Sequence, residues 1–120
     1  MVVKTRRLGY DGKGQYVVRN DSDNDGAWRA LGGQPLIAEQ WIPFDFEVSS
    51  IGVRAISGEM RIYPLSHNVH HDGILQSSRS PVDAPRLAEN AASYVTRLLQ
   101  HLDYVGVLAL ELFVSGDRLL

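Results

Sequence analysis

Cysteine is absent from the 120 residues, so disulfide bridges, thiolate metal sites and cysteine nucleophiles are excluded. Neither sign of charge is in large excess, because 12 lysines and arginines nearly balance 14 aspartates and glutamates, for a net charge of −2. Without a basic excess, nucleic-acid binding is not expected. No apolar run approaches the ~20 residues that a membrane-spanning helix needs, and the N-terminus has no hydrophobic signal core. We therefore expect a cytoplasmic protein with neither a nucleic acid nor a membrane as its partner.

The composition that remains is that of an ordinary folded protein. Apolar residues make up 44% of the sequence and charged residues 22%, which suits one domain or two small lobes. Both ends are apolar, with a strand pattern from Val2 and a final Leu119-Leu120, whereas natural termini are usually polar. This pattern favours a chain cut from a longer protein.

The first third of the sequence predicts a hairpin with a glycine-rich tip. Strands are predicted at residues 2–4 and 15–19, and the segment between them contains Gly9, Gly12 and Gly14 among several cations. The backbone N–H groups of such a loop can bind phosphates. The spacing matches neither a Walker motif nor the dinucleotide fingerprint, so a plain flexible hairpin tip remains the alternative. A short helix is predicted at 27–31, followed by a strand at 35–42 that ends before Pro43.

The rest of the sequence predicts a second sheet with one long helix. Residues 44–56 alternate between apolar and polar side chains, residues 57–59 form a turn, and residues 60–64 return. Residues 67–80 are predicted to be irregular. Asp83 is the predicted N-cap of a helix that ends near Leu102. The predicted apolar face of this helix consists of Leu87, Ala91, Val95, Leu98 and Leu102. The pattern as a whole indicates an α+β fold.

Glu111 and Glu47 are the two carboxylates considered as candidate functional residues. Glu111 lies in the strand 107–114, which is apolar on both sides and is therefore predicted to be central in its sheet. A buried carboxylate needs a cation or several donors, and Mg²⁺ favours carboxylates together with phosphate oxygens. A salt bridge to an arginine is the alternative. Glu47 alternates with Phe46 and Val48, and an ordinary solvent-facing strand residue is the simpler interpretation of it.

Three histidines lie close together at His67, His70 and His71, followed by Asp72. No second ligand cluster and no helix that would align the imidazoles accompany them, so a zinc site is disfavoured. A polar loop beside a ligand pocket is the preferred interpretation.

Taken in order, these segments resemble the ATP-grasp superfamily. VVKTRRLGYDGKGQ resembles its glycine-rich loop with the preceding lysine, and AEQWIPFDFEVSSIGVR resembles its hinge and following strand. YPLSHNVHHDGILQSSRSP, followed by a long helix and YVGVLALELFV, is similar to the 5-(carboxyamino)imidazole ribonucleotide synthases. The resemblance covers nearly the whole chain. It implies an ATP-grasp fold of two small α+β lobes with antiparallel sheets, truncated at both ends. Residues 1–43 would form the small lobe with the glycine-rich loop, and residues 44–120 part of the large lobe.

The resemblance also implies an ATP-dependent ligase of purine biosynthesis, with ATP and Mg²⁺ as cofactors. ATP would phosphorylate bicarbonate to carboxyphosphate, and the exocyclic amine of 5-aminoimidazole ribonucleotide would capture the carboxyl group. ADP and phosphate would be released.

Residue roles follow from the same resemblance. Lys4 would contact the ATP phosphates, residues 9–15 would close over the triphosphate, and residues 39–42 would bind adenine through their backbone. Glu47 would hold the ribose hydroxyls, His70 would line the nucleotide site, and Glu111 would be one magnesium ligand. The implied ATP-binding residues are Lys4, Gly9, Tyr10, Asp11, Gly12, Lys13, Gly14, Gln15, Glu39, Gln40, Trp41, Ile42, Glu47 and His70. Tyr10 and Asp11 are also implied to approach the imidazole substrate, and no catalytic residue is assigned.

The sequence also departs from the family. It ends before the asparagine–glutamate pair that completes the family's magnesium site and before the arginine- and histidine-containing stretch that holds the ribonucleotide. The family's N-terminal domain is missing too, so we expect this chain alone to be catalytically silent. Two alternatives remain open. One is another ATP-grasp carboxylase, such as a relative of biotin carboxylase, which would share the loop, the hinge and Glu111. The other is a non-catalytic nucleotide-binding or self-associating module, including a homodimer formed through exposed sheet edges.

Overall fold

The computed structural model describes residues 1–9 and 13–120. The chain divides into two compact units, of which the first comprises Met1–Ile42 and His71–Ile74. The second comprises Pro43–His70 and Leu75–Leu120. No helix in the described part of the chain is both long and apolar enough to cross a membrane.

The first unit is built on a three-stranded antiparallel sheet in the order β2-β1-β3. Its strands are β1 (Val2–Thr5), β2 (Gln15–Val17) and β3 (Leu36–Glu39). Lys4 pairs with Gln15 on β2 and with Ile37 on β3, which confirms the predicted glycine-rich hairpin. The strand predicted at 35–42 is shorter in the structure, where β3 spans Leu36–Glu39.

The helical segment of this unit begins earlier than the sequence suggested. A 3-10 helix at Asp21–Asp23 continues into helix α1 (Asn24–Ala30), so the helix predicted at 27–31 starts in fact at Asn24. Asn20 caps the first turn, since its Oδ1 accepts a hydrogen bond from the Ser22 N–H at 3.1 Å. In return, the Asp23 carboxylate accepts from the Asn20 N–H at 3.3 Å. This capping box starts the helix within a segment that resembles a turn cluster.

The second unit carries a six-stranded sheet in the order β7-β6-β4-β8-β9, with β5 also paired to β4. The strands are β4 (Phe46–Arg54), β5 (Met60–Ile62), β6 (Ser66–His71), β7 (Ile74–Arg79), β8 (Gly106–Ser115) and β9 (Arg118–Leu119). Strands β4 and β8 are antiparallel along their whole length, from Phe46 opposite Val114 to Arg54 opposite Gly106. The long central pairing fixes which side chains share a face.

Helix α2 (Pro85–His101) covers one face of this sheet. Val48 and Val114 from the strands and Val95 and Leu99 from the helix have no exposed surface. Helix and sheet approach closely at Gly52, where an added Cβ would lie 2.9 Å from Ile62 Cδ1 and 3.0 Å from Leu99 Cδ1. Only a residue without a side chain fits this contact comfortably.

Two details of α2 differ from the prediction. Ala84, not Asp83, is the N-cap, and its methyl side chain cannot accept a cap hydrogen bond. Pro85 at the start of the helix supplies helical φ and has no N–H to be capped. Leu99 is fully buried, whereas Leu98 and Leu102 are exposed. Successive helix residues point about 100° apart, so the rotation that buries Leu99 turns Leu98 to the flank. The C-terminal half of the predicted apolar face was therefore wrong.

The segment 67–80, predicted to be irregular, is a hairpin of β6 and β7. Its turn residues Asp72 and Gly73 have φ of 51° and 78°. A two-residue hairpin turn of type I′ requires positive φ at both central positions, and Asp-Gly is one of the pairs that supply it. The prediction failed because the polar composition of the segment outweighed this turn signal.

Candidate functional site

The polar face of the second sheet lies opposite the face that α2 covers. Side chains alternate along a strand, so Glu47 and Ser49 point away from the helix while Val48 points toward it. Ser49 lies opposite Glu111 on β8, and Glu47 lies opposite Asn68 on β6. Four polar or charged residues from three adjacent strands therefore share one surface.

Glu111 is exposed, which contradicts its predicted burial in a strand covered on both sides. Every second residue of β8 from Val107 to Glu111 is exposed, because α2 covers one face of the sheet and leaves the other open in the described part of the chain. No lysine or arginine among the described residues lies within 4.0 Å of the Glu111 carboxylate, so the alternative of a salt bridge finds no partner there.

The Glu111 carboxylate is nevertheless held by neutral donors. Ser49 Oγ lies 2.7 Å from both of its oxygens, and Asn68 Nδ2 donates to Oε2 at 3.0 Å. Asn68 Nδ2 also donates to Ser49 Oγ, while Asn68 Oδ1 accepts from Ser78 Oγ at 2.6 Å. We call Ser49, Asn68, Ser78 and Glu111 the Glu111 network. Its members come from β4, β6, β7 and β8, so the network crosses four neighbouring strands.

For three members of this network, Ser49, Asn68 and Ser78, no functional role was predicted from the sequence. Ser49 belongs to the alternating segment 44–56, but no role was assigned to it. Asn68 and Ser78 lay in the segment taken as irregular. The signal that could have found them is the Asp72-Gly73 turn, because a two-residue hairpin turn fixes the pairing of the strands on either side.

Glu47 and His70 form a second pair on the same face. His70 Nδ1 lies 3.2 Å from Glu47 Oε2, and both side chains are about one quarter to one third exposed. His70 follows Asn68 by two positions on β6, which places the two side chains on one face. The structure thus brings together two residues that the sequence had assigned separately to the nucleotide.

The chemistry of this face suits an oxygen-binding cation better than zinc. Among the described residues, no three His, Cys, Asp or Glu side chains converge on one point. A carboxylate has about four lone-pair positions, and one proton each from Ser49 and Asn68 occupies two of them. Because Glu111 is exposed, a ligand can reach the remaining positions. Hard divalent cations prefer such oxygen ligands, and Mg²⁺ is usually bound by one or two carboxylates plus phosphates and waters. The residues present therefore fit a magnesium ion.

In the first unit, Lys4 and Glu39 are brought together. Lys4 Nζ lies 2.6 Å from Glu39 Oε2, across the paired strands β1 and β3. The base of the glycine-rich hairpin is tight, because Thr5 N–H donates to Gly14 O at 2.8 Å. Gly14 has φ of +76°, and an added Cβ would lie 2.7 Å from Thr5 Oγ1. Glycine is therefore required at this position, next to Lys13 and Gln15.

The remaining predicted residues lie as follows. Gln40, Trp41 and Ile42 form an irregular segment after β3. The half-exposed Trp41 lines a groove of about 340 Å³ together with Met1, Val17, Val18 and Arg19. Gly9 belongs to the described part of the loop, whereas Tyr10, Asp11 and Gly12 lie outside the described residues.

Comparison with known proteins identifies the family to which the chain belongs. The family model described as the ATP-grasp domain matches residues 1–120. The chain belongs to the ATP-grasp family. The predicted fold class is thereby confirmed, since the α+β architecture with antiparallel sheets is shared with ATP-grasp structures at a TM-score of 0.88.

Several curated relatives of this ATP-grasp chain share one name. A Pseudomonas aeruginosa protein named N5-carboxyaminoimidazole ribonucleotide synthase is 54% identical over 112 residues, which are 93% of this chain and 31% of that protein. The crystal structure of N5-carboxyaminoimidazole ribonucleotide synthetase from Thermus thermophilus matches 99% of this chain and 32% of its own, with 45% identity and a TM-score of 0.88. The Staphylococcus aureus enzyme complexed with ADP matches 98% of this chain and 32% of its own, with 30% identity and a TM-score of 0.87.

The resemblance found in the sequence is thereby confirmed. The chain spans about a third of the length of the curated relatives it matches.

Proposed function

We propose that this ATP-grasp chain supplies the ATP-binding part of a ligase that carboxylates 5-aminoimidazole ribonucleotide with bicarbonate and ATP. Cytoplasmic de novo purine biosynthesis is part of the same proposal. Its support is the similarity to N5-carboxyaminoimidazole ribonucleotide synthases, one of which is complexed with ADP. Residues 1–43 are assigned to the small lobe and residues 44–120 to the large lobe.

The observation that carries the proposal is the Glu111 network beside the Glu47–His70 pair, on the open face of the second sheet. We assign Glu111 as a magnesium ligand, Glu47 as the acceptor of the ribose hydroxyls, and His70 to the wall of the nucleotide site. Bound Mg²⁺ would neutralise charge on the phosphate oxygens. His70 Nδ1 lies beside Glu47 Oε2 at 3.2 Å, which leaves Oε1 to accept from a ribose hydroxyl.

The first unit would bind the phosphates and the base. We assign Lys4 to the ATP phosphates. Its ammonium group has three donors, so it can keep the bond to Glu39 and still donate to a phosphate oxygen. The hairpin tip, with Gly9, Tyr10, Asp11, Gly12, Lys13, Gly14 and Gln15, would cover the triphosphate. The backbone of residues 39–42 would hold adenine.

In the proposed reaction, a bicarbonate oxygen attacks the γ-phosphorus of ATP, and the bond to the β-phosphate oxygen breaks to release ADP. The amine nitrogen of 5-aminoimidazole ribonucleotide then attacks the carbon of carboxyphosphate. Phosphate leaves and the nitrogen loses a proton. Phosphoryl transfer depends chiefly on positioning and charge neutralisation, which is the contribution expected from this chain's residues.

Calorimetric titration of the chain with ATP, with and without Mg²⁺, tests the binding part of the proposal. We expect Mg²⁺ to strengthen ATP binding. In the presence of Mg²⁺, Glu111→Gln should lower the affinity for ATP at least tenfold, in line with about 1.4 kcal/mol or more from a charged ligand. Glu89→Gln is the matched control, since Glu89 is exposed on α2, which covers the other face of the sheet. ATP binding that is unchanged by Mg²⁺ and by Glu111→Gln would refute the proposal.

A coupled ADP-release assay with bicarbonate and 5-aminoimidazole ribonucleotide tests the reaction, and we expect no turnover from this chain alone.

Self-association is a second candidate, favoured by an open apolar groove of about 610 Å³ in the second unit. Tyr94, Leu98, Leu110 and Leu120 are among its lining residues. In the described part of the chain, β9 pairs only with the C-terminal end of β8. The rest of that edge of β8 is left for symmetric pairing with a second copy of the chain. Light scattering should then show a dimer that Leu98→Asp dissociates. A monomer at all concentrations would contradict this candidate.

A further inference from the structure

The hydrogen bonds of the Glu111 network all point toward one carboxylate. We propose that Ser49, Asn68 and Ser78 are positioning residues that hold Glu111 in the orientation in which it binds Mg²⁺ together with ATP. This inference rests on the proposed function and names residues to which that function assigns no role.

The direction of each hydrogen bond follows from the chemistry of the groups. Asn68 Oδ1 has no hydrogen, so Ser78 Oγ must donate to it. That bond fixes the amide with Nδ2 facing β4 and β8, where it donates to Glu111 Oε2 and to Ser49 Oγ. Ser49 then has its single proton left, which goes to the carboxylate. Ser78 thus sets the orientation of Asn68, and Asn68 together with Ser49 sets that of Glu111.

Burial shows from which side the carboxylate is held. Ser49 is 8% exposed and Asn68 is 5% exposed, whereas Glu111 is exposed. The donors therefore lie beneath the carboxylate, and the lone pairs that they leave unused face outward. A ligand that approaches from the open side meets a carboxylate whose position is already fixed, which lowers the entropy lost on binding.

Loss of Ser78 would act at a distance through the amide. Without the bond at 2.6 Å to Oδ1, the Asn68 amide is free to turn and to present an oxygen to the carboxylate in place of a donor. Two acceptors would then face each other, and Glu111 would move away. Changes in groups that orient metal ligands typically weaken metal binding by about 10- to 100-fold.

The sequence offers a matched control for each serine. Ser77 precedes Ser78 on β7, and Ser50 follows Ser49 on β4, so each control removes the same hydroxyl from the opposite face of the same strand. The probe is Mn²⁺ in the presence of ATP, with free Mn²⁺ measured by electron paramagnetic resonance. A parallel titration with ATP alone and a urea unfolding curve accompany each variant.

We expect Ser49→Ala and Ser78→Ala to weaken Mn²⁺ binding by about 10- to 100-fold, with metal-free ATP binding and the urea midpoint close to those of the unchanged chain. Ser50→Ala and Ser77→Ala should leave the Mn²⁺ affinity unchanged. Ser49→Thr keeps the hydroxyl and should keep most of the affinity.

Each other outcome overturns a defined claim. If Glu111→Gln abolishes Mn²⁺ binding while Ser49→Ala and Ser78→Ala retain it, the positioning role is wrong and the proposed function stands. If Glu111→Gln itself leaves Mn²⁺ binding intact, the proposed metal ligand is wrong. If metal-free ATP binding or the urea midpoint falls together with Mn²⁺ affinity, the serines serve the fold and not the carboxylate.

Discussion

Truncation of Leu99 on α2 should destabilise the second unit far more than truncation of its neighbour Leu98. Leu99 has no exposed surface, and its Cδ1 would lie 3.0 Å from a Cβ at Gly52, so it packs closely against the sheet. Removing a buried leucine to alanine costs about 2 to 5 kcal/mol, because the lost burial adds to the cavity left behind. For Leu99→Ala in this contact we expect about 3 kcal/mol.

Leu98 is the matched control. It is 36% exposed and lines an open groove, so its truncation leaves no enclosed cavity. Only part of its burial energy is lost, and we expect about 1 kcal/mol. The difference of about 2 kcal/mol corresponds to roughly a 30-fold difference in the unfolding equilibrium constant.

Urea unfolding followed by circular dichroism measures both values, provided that the slope of the transition is unchanged between variants. Equal losses for the two variants, or a larger loss for Leu98→Ala, would refute the rotation of α2 described above. The packing that orients the polar face would then have to be revised as well, because α2 defines which face of the sheet is covered.

Two further changes test the architecture around the site. Gly52→Ala should destabilise the chain by about 1 kcal/mol, the lower end for overpacking, because the new Cβ meets the flexible ends of Ile62, Leu99 and Val95. A urea midpoint equal to that of the unchanged chain would contradict the close contact of helix and sheet. Gly73→Ala should cost about 1 to 2 kcal/mol, since Gly73 has φ of 78°. Amide hydrogen exchange should locate the loss in β6 and β7, and unchanged protection there would contradict the hairpin.

The sequence predicted those features that a single segment determines. The glycine-rich hairpin followed from two apolar strands around Gly9, Gly12 and Gly14, and its strand pairing is observed. The alternation of β4 placed Glu47 and Ser49 on one side, and the register of β4 with β8 places Glu111 on that same face. Local periodicity suffices for such predictions, because it depends on neighbours along the chain.

Features that depend on partners distant in sequence could not be predicted in the same way. Leu98 and Leu99 are chemically equivalent neighbours, and only the sheet that packs on α2 decides which of them is buried. The burial of Glu111 was predicted from a strand apolar on both sides, but coverage depends on how many layers pack there. The Glu111 network requires the register of four strands, which no single strand specifies.

The most direct test of the account is to locate the metal on the isotope-labelled chain by nuclear magnetic resonance. Mn²⁺ added with ATP broadens the signals of nearby nuclei, so the residues that lose intensity first mark the site. We predict that the amide signals of Ser49, Asn68 and Glu111 broaden first, and that Glu111→Gln suppresses the effect. Broadening centred on the outer surface of α2, or the same broadening in Glu111→Gln, would contradict the assignment of this sheet face to magnesium and nucleotide.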